Sequence, residues 1–240
     1  MSLRLVVIIA VIGTGFAAAQ AHAVTPVTQC GQVVQGHGEL LGDLDCSHMQ
    51  NGSAVNLAGT LHLRGFRITA MRRGIGVACT SASCRIVGPG AITGPDDAIY
   101  GVLGLDSRKI VLKDVIVDGV KGYGAFSRGS IQVTRSTITG CGGFAAAEGG
   151  NAGGGVTSFA KVRVVDSTIS GNTNAGVVGA SVRSSRSTII NNGAAPDCAA
   201  TCFNCPCADI VSTVLPRLRA SSCGTSANPS GATWGVCTGD

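Results

Sequence analysis

Apolar and polar residues alternate along this chain in short runs, broken every few positions by glycine or asparagine. Val55, Leu57, Leu61, Leu63, Phe66 and Ile68 share one side of such runs, with His62, Arg64 and Arg67 between them. This is the signature of half-buried strands, and it predicts two short strands here with a turn at Ala58-Gly59. Farther on the alternation repeats itself. Val162-Arg-Val-Val-Asp166-Ser167-Thr168-Ile169-Ser-Gly171-Asn172 matches Val182-Arg-Ser-Ser-Arg186-Ser187-Thr188-Ile189-Ile-Asn191-Asn192 position for position. Ile131-Gln-Val-Thr-Arg135-Ser136-Thr137-Ile138-Thr-Gly140 is a third copy, and Ile110-Val-Leu-Lys-Asp114-Val-Ile-Val117-Asp-Gly119 a weaker fourth. Self-similarity at a fixed period marks a repeat architecture.

A second signal runs through the same region. A Gly-Val or Gly-Ala step opens a strand at Gly76-Val77, Gly101-Val102, Gly124-Ala125, Gly155-Val156 and Gly176-Val177. An apolar residue precedes each closing turn: Ile68, Ile92, Val117, Ile138, Ile169 and Ile189. Each unit therefore holds two or three short strands. No unit offers the long run of good helix formers that a helical repeat needs. Coils of roughly 20–25 residues, stacked about 4.8 Å apart, make a parallel β-helix or solenoid. Ile138, Ile169 and Ile189 are expected to form one interior aliphatic column.

Composition fits that architecture. The chain is 45% hydrophobic but only 4% aromatic and 13% charged, with 36 glycines among 240 residues. Small and β-branched residues suit thin stacked layers, and the low charge excludes a disordered chain. The net charge of +5 is modest, with no basic run and no set of stacking aromatics. Nucleic-acid binding is not expected on that basis.

Met1–Ala23 carries Arg4, the apolar run Leu5–Phe16 and a closing Ala21-His22-Ala23. It reads as a secretory signal cut after Ala23, with no membrane span in the mature chain. The protein is expected to be secreted, extracellular or periplasmic, where cysteines oxidise. Residues 24–240 form one domain: a cap or first coil over 24–51, stacked coils over 52–197, and a Cys-rich cap over 198–240. Cys30 with Cys46 would tie the first cap, by about 3 kcal/mol on loop-closure grounds, and Cys79 with Cys84 would form a local bridge. Cys198, Cys202, Cys205, Cys207, Cys223 and Cys237 are read as disulfides of open connectivity, because a Cys-x-Cys step does not match common zinc spacings. Cys141 is the odd one of the 11 cysteines. The stretch Gly140–Gly155 breaks the period as a Gly-rich insertion.

Two polar sets align with the repeat. Asn172 and Asn192 share a turn position, where stacked amides can hydrogen-bond along the axis. Asp114, Arg135, Asp166 and Arg186 share another, which reads as an ion-pair ladder of alternating sign. A polyanion-binding face would instead be uniformly basic.

The V-x-x-S-x-I-x-G/N-N coils, together with Gly38-Glu-Leu and Gly42-Asp-Leu-Asp-Cys46 near the start, resemble the pectin-lyase-like superfamily, specifically its small secreted bacterial members. The resemblance spans roughly Cys30 to Cys237. It implies an all-β, right-handed, single-stranded parallel β-helix of about six or seven coils with disulfide-rich caps. It also offers enzyme patterns for comparison. Asp96-Asp97 resembles the acid pair of polygalacturonase-type hydrolases, but no acid stands at Met71–Gly74 and no histidine at Lys121–Gly124. His37, His48 and His62 all lie earlier in the chain. Lyase chemistry of the pectate type would use Ca²⁺ held by clustered carboxylates with a basic residue, for which Asp106, Asp114 and Asp118 with Lys113 are the candidates. These weak catalytic candidates, Asp96, Asp97, Asp106, Asp114 and Lys113, leave catalysis open. The reading that follows is a secreted, monomeric, non-catalytic repeat protein with a structural, surface or carbohydrate-binding role and a polysaccharide or cell-surface glycan as partner. No cofactor is expected, Ca²⁺ being the one candidate ion. The alternatives are a polysaccharide-active lyase or hydrolase, and an adhesin or protein-binding module.

Overall fold

The computed structural model describes residues 24–143, 153–193 and 207–240. Residues 1–23, expected to be a signal, most of the Gly-rich insertion, and Cys198, Cys202 and Cys205 lie outside the described residues. Every described regular element is a strand. After β1 (Thr25–Val27), the first two turns hold β2 (Gln32–Leu40) with β3 (Leu44–Asp45), and β4 (Ser53–His62) with β5 (Arg67–Thr69). From the third turn on there are three strands per turn: β6 (Ile75–Cys79), β7 (Ser83–Val87), β8 (Ala91–Thr93); β9 (Tyr100–Gly104), β10 (Lys109–Lys113), β11 (Ile116–Asp118); β12 (Tyr123–Ser127), β13 (Ser130–Thr134), β14 (Thr137–Thr139). The later turns are β15 (Val156–Ser158), β16 (Lys161–Val165), β17 (Thr168–Ser170); β18 (Val177–Gly179), β19 (Ser181–Ser185), β20 (Thr188–Ile190); and β21 (Ile210–Ser212), β22 (Arg217–Arg219), β23 (Ser222–Cys223), with β24 (Ser226–Ala227) last.

All pairings between these strands are parallel, each strand lying in register on its counterpart one turn away, so the chain is a parallel β-helix. The third face is an eight-stranded sheet with one strand per turn, from β3 to β23. Its first and last strands fall within the segments expected to act as caps, so stacking runs to both ends of the described chain. The first and second faces form one 16-stranded sheet, because β4 pairs through its first half with β6 and through its second half with β7. The alternation at Val55–His62 therefore lies in one bent strand, where two with a turn at Ala58-Gly59 were expected. Gly36 and Gly59 sit in register at the bend with positive φ, so the ladder continues through it. Once the long strand divides, the Cys79–Cys84 disulfide links β6 to β7, while Cys30–Cys46 and Cys223–Cys237 tie the two ends.

The interior is a set of stacked columns. Leu44, Ile68, Ile92, Val117, Ile138, Ile169, Ile189 and Cys223 follow one another in register on the third face, all buried. The recurrent glycines have a steric cause. A Cβ on Gly76, Gly101, Gly124 or Gly155 would stand 2.5–2.7 Å from the carbonyl oxygen of the next glycine in the column. Only glycine lets successive turns approach that closely.

Polar side chains hold the two corners flanking the third face. At the corner entering it, Asp114, Arg135, Asp166, Arg186 and Ala220 adopt positive φ and turn the chain. Ser136, Ser167, Ser187 and Ser221 follow them. Each serine hydroxyl donates to the carbonyl two residues back and accepts a backbone N–H from the preceding turn. Outside this corner, Asp114 takes Arg135 and Asp166 takes Arg186 as two-pronged pairs at 2.6–2.8 Å. The hydrogen bonds from these guanidinium groups hold both carboxyls below the usual carboxylate range. The alternating column thus consists of two separate exposed ion pairs, Asp114 with Arg135 and Asp166 with Arg186.

At the corner leaving the third face, the amides are buried. Asn172 Oδ1 accepts the Cys141 N–H at 3.0 Å, and Asn172 Nδ2 donates to Asn192 Oδ1 at 2.8 Å. Asn192 Nδ2 donates in turn to Asp209 Oδ1, also at 2.8 Å. Asp209 holds the next place in the glycine column, since Val177 pairs with Ile210. Its Oδ1 also accepts the Asn192 N–H, and Oδ2 accepts the N–H groups of Gly224 and Thr225 at 2.9 Å. The ladder thereby ends on a buried carboxylate satisfied by donors from the last turn. Cys141, buried at the head of this column, is a free thiol that burial pushes up to about 12. These asparagines face the interior and offer nothing to a ligand.

Candidate functional site: the basic face

A parallel strand sends alternate residues outward, and the register stacks those residues along the helix axis. On the second face the central outward column runs His37, Thr60, Arg85, Val111, Gln132, Arg163, Arg183, Arg217. Two residues on along each strand, a parallel column runs Lys113, Thr134, Val165, Ser185, Arg219. Lys109 stands beside Ser130 and Lys161 beside Ser181 on the other flank. From β7 onward the outward positions of this face carry eight basic residues and no acid: Arg85, Lys109, Lys113, Lys161, Arg163, Arg183, Arg217 and Arg219. Five of the eight fall on the last three strands.

Those five residues line a groove of about 640 Å³, together with Val164, Ser184, Ser185 and Leu218. Arg163, Arg183 and Arg217 are exposed and occupy three successive strands in register. Neighbouring strands lie about 4.7–4.9 Å apart, so like charges directly oppose one another. Among the described residues, carboxylates lie within ion-pairing distance of Arg64, Arg72, Arg135 and Arg186, but of none of the groove cations. Behind the groove, on the interior side of the sheet, Ser184 interrupts an aliphatic column between Val164 and Leu218, and its buried hydroxyl bonds Ser221 Oγ at 3.0 Å. Three guanidinium groups without a described carboxylate partner thus stand in line at strand spacing.

The residues singled out for catalysis are dispersed. Asp96 and Asp97 sit in the turn between β8 and β9, where Asp97 Oδ2 accepts from Arg72 Nε at 3.1 Å. Asp106 lies in the turn between β9 and β10, and Asp114 lies beyond the other end of β10, bound to Arg135. Lys113 points out from the second face, and Asp118 is exposed on the third. Among the described residues no three His, Cys, Asp or Glu side chains converge as a metal site would require. Among the described residues no carboxylate lines the basic groove, and the paired acids that glycosidases use are not found there.

The first face differs in character. Outside it, Tyr100 and Tyr123 stack at 5.6 Å with rings 9° from parallel, and Phe126 lies against both. Burial pushes the Tyr123 hydroxyl up to about 12. From β6 on, the strands of the first face carry no charged residue, whereas those of the second are basic. The basic column escaped the sequence reading because its members are separated by whole turns, and no local run of charge exists. Arg163 and Arg183 do align in the repeat, and that alignment was the available signal.

No family model, curated protein or solved structure matches the chain. The disulfides indicate an oxidising, non-cytoplasmic compartment. No helix among the described residues is long and apolar enough to cross a membrane.

Proposed function

We propose that this protein is a secreted, non-catalytic member of the pectin-lyase-like β-helices that binds an acidic polysaccharide along its second face. One observation carries this reading: the in-register column Arg163, Arg183, Arg217, exposed and, among the described residues, without carboxylate partners. Opposed like charges destabilise a sheet, so a column of them is costly unless a ligand uses it. A linear polymer with repeated negative charges, lying across the strands, meets one guanidinium per turn. The dispersal of the carboxylates and their absence from the groove support binding without bond cleavage.

The test is affinity electrophoresis of residues 24–240 through gels carrying acidic polysaccharides, with neutral polysaccharides as controls. Parallel assays follow unsaturated products by ultraviolet absorbance and new reducing ends. The expected result is retardation in acidic gels that fades as salt rises, with no product in either assay. Equal mobility in all gels at low salt would sink the binding reading, and product formation would replace it with the enzyme reading.

A further inference from the structure

We infer that the groove selects glycans esterified with a tetrahedral oxyanion, sulfate or phosphate, over glycans whose charge is carboxylate. This rests on the reading of the second face as a polysaccharide-binding site and names the anion it takes. Four of the five groove cations are arginine and one is lysine. A guanidinium is a planar fork of donors that pairs with two oxygens at once, whereas an ammonium acts as a point charge. A carboxylate offers two coplanar oxygens, and a single fork engages both in that plane. A sulfate or phosphate ester offers three terminal oxygens, so one fork leaves an oxygen for a second donor.

The grid around Arg183 supplies such second donors. Arg163 and Arg217 flank it along the axis, on the strands either side. Ser181 and Ser185 flank it along its own strand, both outward and half-buried. Lys161 is in register with Ser181 and Arg219 with Ser185, so both stand at the diagonals of Arg183. An anionic group above Arg183 therefore has forks on three successive strands and hydroxyls to either side. A carboxylate directs its acceptor sites within one plane, whereas a tetrahedral ester directs three oxygens toward donors on several strands at once.

The experiment compares dextran sulfate and carboxymethyl-dextran, at matched degrees of substitution, with dextran phosphate substituted less, since a phosphate monoester carries about −1.5 to −2 at neutral pH, so that backbone and charge density are shared and only the anion differs. Binding is measured by isothermal titration for the native chain and for Arg183→Lys, which keeps the charge and removes the fork. The native chain is expected to bind the sulfated or the phosphorylated dextran about tenfold or more tightly than the carboxymethyl form, and the tighter of the two names the ester. Arg183→Lys is expected to bring that preference close to parity while its binding to carboxymethyl-dextran changes little. Equal or tighter binding of carboxymethyl-dextran by the native chain would overturn the inference and leave polysaccharide binding intact. A preference unchanged in Arg183→Lys would also overturn it, with thermal melting as the control for folding. Binding to none of the three would overturn both this inference and the reading beneath it.

Discussion

Asp209→Ala is expected to destabilise the protein by about 3–5 kcal/mol and to loosen the last turn before the rest. The carboxylate is buried and accepts from the Asn192 N–H and amide on one oxygen and from Gly224 and Thr225 on the other. Truncation leaves four N–H donors without that acceptor. A buried unsatisfied group costs roughly 1–3 kcal/mol, and the estimate lies below the full sum because a terminal turn can relax and admit water. Urea unfolding gives the magnitude, and amide exchange at Gly224 and Thr225 gives the place. A loss under about 1 kcal/mol, with protection at those amides retained, would mean that the amide ladder does not anchor the last turn. Asp209→Asn keeps one carbonyl oxygen but turns an NH₂ toward donors, so it is expected to fall between the native protein and the alanine variant.

Arg183→Thr is expected to act in opposite directions on stability and on binding. Arg183 stands between Arg163 and Arg217 in register, and replacing it removes two like-charge oppositions while supplying a residue that favours strands. Stability is expected to rise by a few tenths of a kcal/mol, within the roughly 0.2–1 kcal/mol range of cross-strand pairs. Affinity for an acidic polysaccharide is expected to fall about tenfold or more, since the central fork of the column is gone and its neighbours no longer form a continuous line. Chemical denaturation and titration on the same variant check both halves. A variant that loses stability and keeps its affinity would show that the column serves packing. The opposite signs matter, because a residue retained only for the fold would not weaken the fold by its presence.

Much of this architecture is legible in the residue pattern, and the reason is register. The copies at Ile131, Val162 and Val182 align residue by residue, so their spacing dictates which side chains stack. The isoleucine column, the amide pair Asn172 and Asn192, and the paired Asp166 and Arg186 all follow from that alignment. The bend inside β4 does not, because glycine signals a turn in the sequence whether or not the ladder continues through it. The last turn is harder to see. Arg217-Leu-Arg-Ala220-Ser221-Ser222-Cys223 follows the repeat, but alanine stands where Arg186 does and cysteine where Ile189 does. The segment between Gly193 and Cys207 also breaks the spacing before it. Without that turn the arginine column is a pair, and the groove it builds with Arg219 is invisible.

The most direct measurement is arginine footprinting. Phenylglyoxal modifies exposed guanidinium groups, and mass spectrometry reads each site with and without a saturating acidic polysaccharide. Arg85, Arg108, Arg128, Arg163, Arg183, Arg217 and Arg219 are all exposed in the free protein. Strong protection of Arg163, Arg183, Arg217 and Arg219 is expected, with Arg108 and Arg128 on the neighbouring corner labelled as before. Protection spread evenly over all arginines, or confined to residues off the second face, would contradict it.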